Sequence, residues 1–262
     1  MSTVAHSIRW LAVAFAVVQA TPALAVGAQD RTFPNLDLMT ETWVPYQFKD
    51  GGQLRGVSVD LLELMLNRVG STQTRDDMDL LPWARAYGAV QAEKNAVLFS
   101  TTRTPERDAL FKWVGPIFTN DTYLIGKRAR GFHVTSKDDL RRYVFGVVIG
   151  DASALFAKRL GIPPAHMVMN TGAINNVHML SRDRIDFVVT GWAAFLNDAK
   201  AAHVDPSLYE EVYLADRSDV SFAFNAQTPD WVIEKLQAAL DALKADGTYD
   251  KVFARYRALL PK

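Results

Sequence analysis

The stretch from Phe99 to Phe118, FSTTRTPERDALFKWVGPIF, holds the residue types and spacing that most directly suggest chemistry. It offers Ser100, Thr101, Thr102 and Thr104 as hydroxyl donors and places Arg107 five residues after Thr102. A guanidinium presents a planar fork of donors that matches a carboxylate, and hydroxyls with free backbone N–H groups complete such a cradle. The chemistry is anion binding, and a phosphate fits almost as well as a carboxylate. The competing reading makes Arg103 and Arg107 surface charges beside a helix start, because Thr104-Pro105-Glu106 has the form of an N-cap with Pro at the first helical position.

The elements that must position this loop are short and alternate in type. Val97 to Ser100 reads as a strand that delivers the loop at its C-terminal end, where ligands collect in open α/β sheets. Upstream, Leu36 to Met39 is a second strand, running into a loop with Glu41, Trp43 and Tyr46. Its aromatic rings are either ligand contacts or core. Lys49-Asp50-Gly51-Gly52 is a turn, and Gly56 to Gly70 is an amphipathic helix stopped by Gly70. Leu80-Leu81 closes a strand, Pro82 fixes a corner, and a helix runs from Trp83 to about Glu93. Trp83 is expected at a cleft wall.

Further along, Tyr123 to Gly126 has a strand pattern, Ser136 is expected to cap a short helix, and Val144 to Ile149 is a β-branched strand buried on both faces. It ends at Gly150-Asp151-Ala152-Ser153, where a helix to about Leu160 begins and exposes backbone N–H groups suited to an anion. Asp151 is either the N-cap of that helix or a ligand contact. His166 to Met169 is a strand, Ala173 to Leu180 a helix, and Arg184 to Val189 a strand ending at Thr190-Gly191-Trp192. Such alternation indicates parallel sheets. Ser221 to Phe224 is a late strand, Asp230 to Ala245 a helix ended by Asp246-Gly247, and Lys251 to Leu259 a final helix.

Composition narrows the function classes. The 262 residues carry 29 Lys plus Arg against 29 Asp plus Glu, and Lys127-Arg128-Ala129-Arg130 is the only basic cluster. Nucleic acid and anionic membrane are therefore not expected partners. Arg9, an apolar run from Trp10 to Val18 and then Ala23-Leu24-Ala25 read as a secretory signal peptide cleaved after Ala25. The run is well short of the ~20 residues a spanning helix needs. The absence of cysteine excludes disulfides, thiolate metal sites and a lipid-attached cysteine, and together with export it suggests the bacterial periplasm and a free monomer. His133, His166, His178 and His203 are scattered, with none at metal-ligand spacing, and no phosphate loop or serine elbow is present. No metal or cofactor is expected.

Taken together, the loop Trp43 to Phe48, the run Gly56-Val57-Ser58-Val59-Asp60-Leu61-Leu62, Trp83, Thr102 with Pro105-Glu106-Arg107, and Asp246-Gly247-Thr248-Tyr249 resemble the extracellular solute-binding proteins of the polar amino-acid uptake type. LPWARA, TRTPERD and VGPIF mark a divergent branch. The resemblance implies an α/β, two-lobed periplasmic-binding fold of type II, each lobe a mostly parallel sheet flanked by helices, with two hinge crossings near Tyr123 to Gly126 and Ser221 to Phe224. Lobe 1 would comprise residues 26–120 with 223–262, and lobe 2 residues 121–222. It further implies a small carboxylate or amino-acid ligand handed to an inner-membrane ABC permease. Arg107 and Thr102 would clamp the carboxylate, with Ser100 beside them, Trp43 and Trp83 stacking on the rest, and the turn at Asp151 and Ala152 adding contacts from the second lobe. An acid usually follows the strand ending at Thr190 and holds the ligand's ammonium. Here that position is Gly191, so Glu41 or Asp151 would have to supply the charge. The alternative on the same scaffold is a periplasmic enzyme of the cyclohexadienyl dehydratase type, with Glu41 or Asp151 as its acid or base.

Overall fold

Short β-branched runs alternating with amphipathic helices set the architecture in the computed structural model, which describes residues 32–259. The leader expected over residues 1–25 lies outside them. In chain order the elements are β1 (Asp37–Thr40), β2 (Phe48–Asp50), β3 (Gln53–Arg55), α1 (Val57–Arg68), β4 (Met78–Leu80), α2 (Trp83–Ala92), β5 (Ala96–Thr102), α3 (Pro105–Asp108) and β6 (Phe111–Lys127). There follow β7 (Phe145–Val148), α4 (Ala152–Arg159), β8 (Met167–Asn170), α5 (Ala173–Ser181), β9 (Phe187–Thr190), α6 (Trp192–Ala201), β10 (Tyr209–Asn225), α7 (Asp230–Ala245) and α8 (Thr248–Arg255).

Eight strands form one sheet in the order β4-β1-β5-β10-β6-β9-β7-β8. The outer trios, β4-β1-β5 and β9-β7-β8, are parallel, whereas β6 and β10 run antiparallel to each other and to their outer neighbours. β6 and β10 are 17 residues each and pair from Phe111↔Asn225 to Lys127↔Tyr209. They therefore pass through both halves of the molecule and join them. The sequence pattern suggests strands only at Tyr123 to Gly126 and Ser221 to Phe224, because polar residues interrupt the apolar runs midway. Those polar residues pair across the strands: Asp121 faces Arg217 with an ion pair at 2.5 Å, and Thr119 donates to Asp219 at 2.8 Å.

Each half has helices on both faces of its sheet and separate cores. In the first, Val97, Phe99, Leu236 and Leu240 pack on one face, and Met39, Ala86, Leu98 and Phe111 on the other. In the second, Leu124, Phe145, Phe156 and Phe187 form one core, and Ile125, Val188, Phe195 and Tyr209 another. α6 is a helix that the sequence reading did not anticipate. Ser136 does not cap a helix by its side chain; Asp139 instead accepts from the Thr135 and Ser136 backbone N–H groups at 3.0 and 2.9 Å.

The loop bearing Trp43 is held by the start of α1. Val57 and Ser58 donate their N–H groups to the Pro45 and Tyr46 carbonyls at 3.2 and 2.9 Å. Gly56 makes that approach possible. Its φ is 130°, and a Cβ there would lie 2.2 Å from the Tyr46 carbonyl oxygen. No helix among the described residues is long and apolar enough to cross a membrane.

Candidate functional site

A cavity of about 420 Å³ lies between the two halves of the sheet, and Glu41, Trp43, Trp83, Ser100, Thr102, Arg107, Asp151, Ala152 and Gly191 all line it. These residues come from the C-terminal ends of β1, β5 and β9, from the single turn α3, and from the starts of α2, α4 and α6, the edge of an α/β sheet where loops converge.

Arg107 is the most constrained of them. Pro105 opens the single turn α3, and the Arg107 N–H donates to the Thr104 carbonyl at 2.9 Å. The side chain turns inward and is only 2% exposed. Its Nη1 donates to the Thr102 carbonyl at 3.2 Å and its Nη2 to the Gly150 carbonyl at 3.0 Å. The guanidinium carbon lies 5.2 Å from the centre of the Trp83 ring and 5.1 Å from that of Tyr87. Its Nε is buried with no hydrogen-bond partner among the described residues. Both acceptors are neutral carbonyls, and no carboxylate among the described residues makes an ion pair with it. Arg103, by contrast, turns outward to Asp108 at 2.6 Å, with its side chain 48% exposed.

Several residues have duties besides facing the cavity. Trp83, expected at the wall, is only 7% exposed and packs with Met39, Ala86 and Leu98, while its Nε1 donates to the Gly150 carbonyl at 3.0 Å. Asp151 is the N-cap of α4, its Oδ1 accepting from the Ala152 N–H at 2.5 Å. It thus satisfies the N–H that a second-half carboxylate contact would use. Ser100 Oγ donates to Gln47 Oε1 at 2.6 Å and lies 2.7 Å from Ser58 Oγ. Ser100 adopts φ 59° where β5 slips register against β10 between Ser221 and Ala223, and this bulge turns the strand end toward the cavity. Trp43 meets Tyr46 and Phe118 edge-on at 5.0 and 5.7 Å, and Tyr46 itself is core, stacked on Phe118 at 3.7 Å.

Gly191 begins α6 with φ −75°, so backbone strain does not require a glycine there. Space is tight there: a Cβ would lie 3.1 Å from Asn120 Oδ1 and 3.3 Å from the Asp121 carbonyl oxygen, so a side chain at this position would press on Asn120 of β6.

The acid absent at Gly191 has a counterpart that the sequence reading missed. Asp198, two turns further along α6, lines the cavity with Ala194, Asn197 and Ala201, the i, i+3, i+4, i+7 face of that helix. Burial pushes its carboxyl up to about 7. Glu41 is pushed up to about 8, first by burial and then by the charges of Asp151 and Asp198, with Arg107 pulling the other way. Neither side chain has a hydrogen bond or ion pair with another described residue. Only the helical period, applied to a helix placed against the cleft, could have pointed to Asp198.

The profile of the bacterial extracellular solute-binding proteins, family 3, matches residues 38–258. A probable amino-acid-binding protein of Bacillus subtilis, YxeM, is 23% identical over 223 residues, covering 81% of this chain and 79% of its own. Among solved structures, an ancestral arginine-binding protein bound to arginine superimposes with a TM-score of 0.69 at 24% identity, covering 84% of this chain and 97% of its own. An ancestral amino acid-binding protein, a precursor of cyclohexadienyl dehydratase, gives 0.67 at 23% identity, over 84% of this chain and 94% of its own. These structures share the two-lobed architecture. The chain belongs to the bacterial extracellular solute-binding proteins, family 3.

Proposed function

We propose that the protein captures a small solute bearing a carboxylate, an amino acid or related organic acid, in the cleft between its two lobes and delivers it to an ABC-type permease. One observation carries the reading: Arg107 is a buried guanidinium that lines the cavity and that, among the described residues, has only neutral carbonyls as acceptors and no partner for Nε. A buried charge without a counter-charge is costly, and a carboxylate bound bidentately is the geometry that best offsets that cost. Thr102, whose hydroxyl has no hydrogen bond with another described residue, stands beside it. Trp43 lines the cavity, and its buried Nε1 has no hydrogen-bond partner among the described residues. The amino-acid ligands of the B. subtilis relative and the ancestral binder are consistent with this chemistry.

The lobes in this reading are residues 26–120 with 223–262 and residues 121–222, and the protein acts as a periplasmic monomer once a leader ending at Ala25 is removed. The passage of β6 and β10 through both halves supports two crossings. Ligand-driven closure then follows from contacts with both halves at once. A thermal-shift screen of amino acids, dicarboxylates and aromatic acids tests the reading, because a ligand at ~100 times its Kd adds ~2.7 kcal/mol. A screen in which no carboxylate raises the melting temperature contradicts it.

A second reading is favoured by Glu41, whose carboxyl, with a pKa of about 8, is protonated at neutral pH and sits in the field of Arg107. A protonated acid beside a bound carboxylate is what an acid-assisted dehydration requires. Incubation with prephenate or arogenate separates the two: an aromatic product would establish the enzyme, and recovery of unchanged substrate the binding protein.

A further inference from the structure

The run Gly56 to Asp60 stands out in the sequence, yet none of its residues lines the cavity. Its contacts lead to the cavity wall. The first N–H groups of a helix have no acceptor within it, and at α1 they are taken up from two directions. Val57 and Ser58 donate to the Pro45 and Tyr46 carbonyls, while Gly56, the N-cap, donates its N–H to the Tyr256 hydroxyl at 3.1 Å, 200 residues away in the chain. That hydroxyl donates in turn to Asp60 Oδ2 at 3.0 Å, so it ties the N-cap to the first turn. Ser58 is the junction. Fully buried, it gives its N–H to the Tyr46 carbonyl at 2.9 Å and sets its Oγ 2.7 Å from Ser100 Oγ, which donates to Gln47 Oε1 at 2.6 Å. Gln47 and Trp43 exchange backbone N–H to carbonyl bonds at 2.8 and 2.9 Å. Trp43 and Ser100, which line the cavity from the loop after β1 and from β5, are thus joined through one serine behind them. Ser100 needs such support, because its φ of 59° is a conformation that a side-chain-bearing residue keeps only where its surroundings hold it.

We propose that the start of α1 is the positioning device of this wall: Ser58 fixes the Trp43 loop and Ser100 relative to each other, and Tyr256, reaching in from beyond α8, holds Gly56 and with it the seat of the loop. Both are positioning residues, acting through Gly56, Tyr46 and Ser100. The placement of the wall does not depend on which solute the cleft takes; only its consequence for affinity rests on the carboxylate reading. The two residues can be probed with little else disturbed. Tyr256→Phe keeps the ring that meets Phe48 edge-on at 6.3 Å and leaves the Gly56 N–H without its acceptor. Ser58→Ala keeps the N–H bond to Tyr46 and takes the oxygen partner from Ser100. Arg255→Ala is the control, since it removes a 58% exposed side chain that pairs with Asp60 at 3.0 Å and leaves the Tyr256 hydroxyl in place.

The experiment is amide hydrogen exchange without ligand, read residue by residue by NMR in the three variants. In Tyr256→Phe and Ser58→Ala, exchange at the Trp43, Tyr46, Gln47 and Ser58 amides should rise by about threefold or more, the size expected when one hydrogen bond is lost locally. At Leu98 of β5 and Val147 of β7, and at every one of these positions in Arg255→Ala, it should stay within about twofold of wild type. An equal rise at Leu98 and Val147 would mean that the two residues only support the fold, and overturns the proposal. So does an unchanged loop in Tyr256→Phe, or a loop response in Arg255→Ala as large as in Tyr256→Phe. Tyr256→Phe decides alone if Ser58→Ala does not fold. Thermal shifts with amino acids, dicarboxylates and aromatic acids then read the consequence: each compound that raises the wild-type melting temperature should raise that of Tyr256→Phe by less. An undiminished shift overturns the proposal. If no carboxylate shifts the wild type, the carboxylate reading falls and the exchange result still decides.

Discussion

Arg107 Nη2 donates to the carbonyl of Gly150 at 3.0 Å, across the cleft and 43 residues away in the chain. The same carbonyl accepts from Trp83 Nε1, so one backbone oxygen of the second half receives two side chains of the first. In the proposed reading a ligand carboxylate on Arg107 would share or replace this contact, and Gly150 would then couple occupancy to closure.

Trp83 is therefore part of the core as well as of the cavity wall. Because its ring is core, Trp83→Ala should cost ~3 to 5 kcal/mol of folding free energy, visible as a large fall in the denaturant midpoint. Trp83→Phe keeps most of the packing and removes only the bond to Gly150. It should lose far less stability while still weakening ligand binding. Equal midpoints for wild type and Trp83→Ala would contradict the core assignment.

The two halves also meet outside the cavity. Arg159 of α4 grips Glu106 of α3 with Nε and Nη2 at 3.0 and 2.5 Å, and reaches Asp216 of β10 at 3.1 Å. Both partners are about a third or more exposed, so the pair contributes ~0 to 1 kcal/mol. Glu106→Gln should lower ligand affinity by no more than about fivefold, without changing which ligand is preferred. A change in ligand preference would place Glu106 in contact with the ligand.

The raised carboxyls at Glu41 and Asp198 set a pH dependence of definite sign. In the unfolded chain both are ionised above their ordinary values of 4.5 and 3.8, whereas in the folded protein they keep their protons up to about 8 and about 7. Between pH 5 and 8 the folded state binds more protons, so stability of the ligand-free protein falls as pH rises, by up to ~1.4 kcal/mol per pH unit for each group. Melting temperatures across this window should decline. The decline should flatten in the double variant Glu41→Gln, Asp198→Asn, and an unchanged slope in that variant would rule out these two groups as its source.

The alternating elements and the Arg107 loop could be read from local pattern, because strand ends, the Pro105 helix start and the Gly70 and Gly247 stops are each encoded within a few residues. What escaped depends on distant partners. A tryptophan looks the same in a wall and in a core, and the acceptor of Trp83 lies 67 residues away. Asp198 stands among alanines and polar residues on a helix whose inward face opens on a void, so no apolar stripe marks that face. The length of β6 and β10 was hidden because their midpoints are polar and are satisfied by each other, as in Arg217 with Asp121.

The central claim is that the Arg107 guanidinium binds the ligand's carboxylate. Calorimetric titration of Arg107→Lys, Arg107→Ala and Arg103→Ala with the ligand found by the thermal screen tests it most directly. Arg107→Lys should bind measurably more weakly, because an ammonium keeps the charge but loses the planar fork. Arg107→Ala should lose ~2 to 5 kcal/mol, more than tenfold in affinity, with Arg103→Ala within ~0.5 kcal/mol of wild type. Equal losses at Arg103 and Arg107, or none at Arg107, would contradict the account.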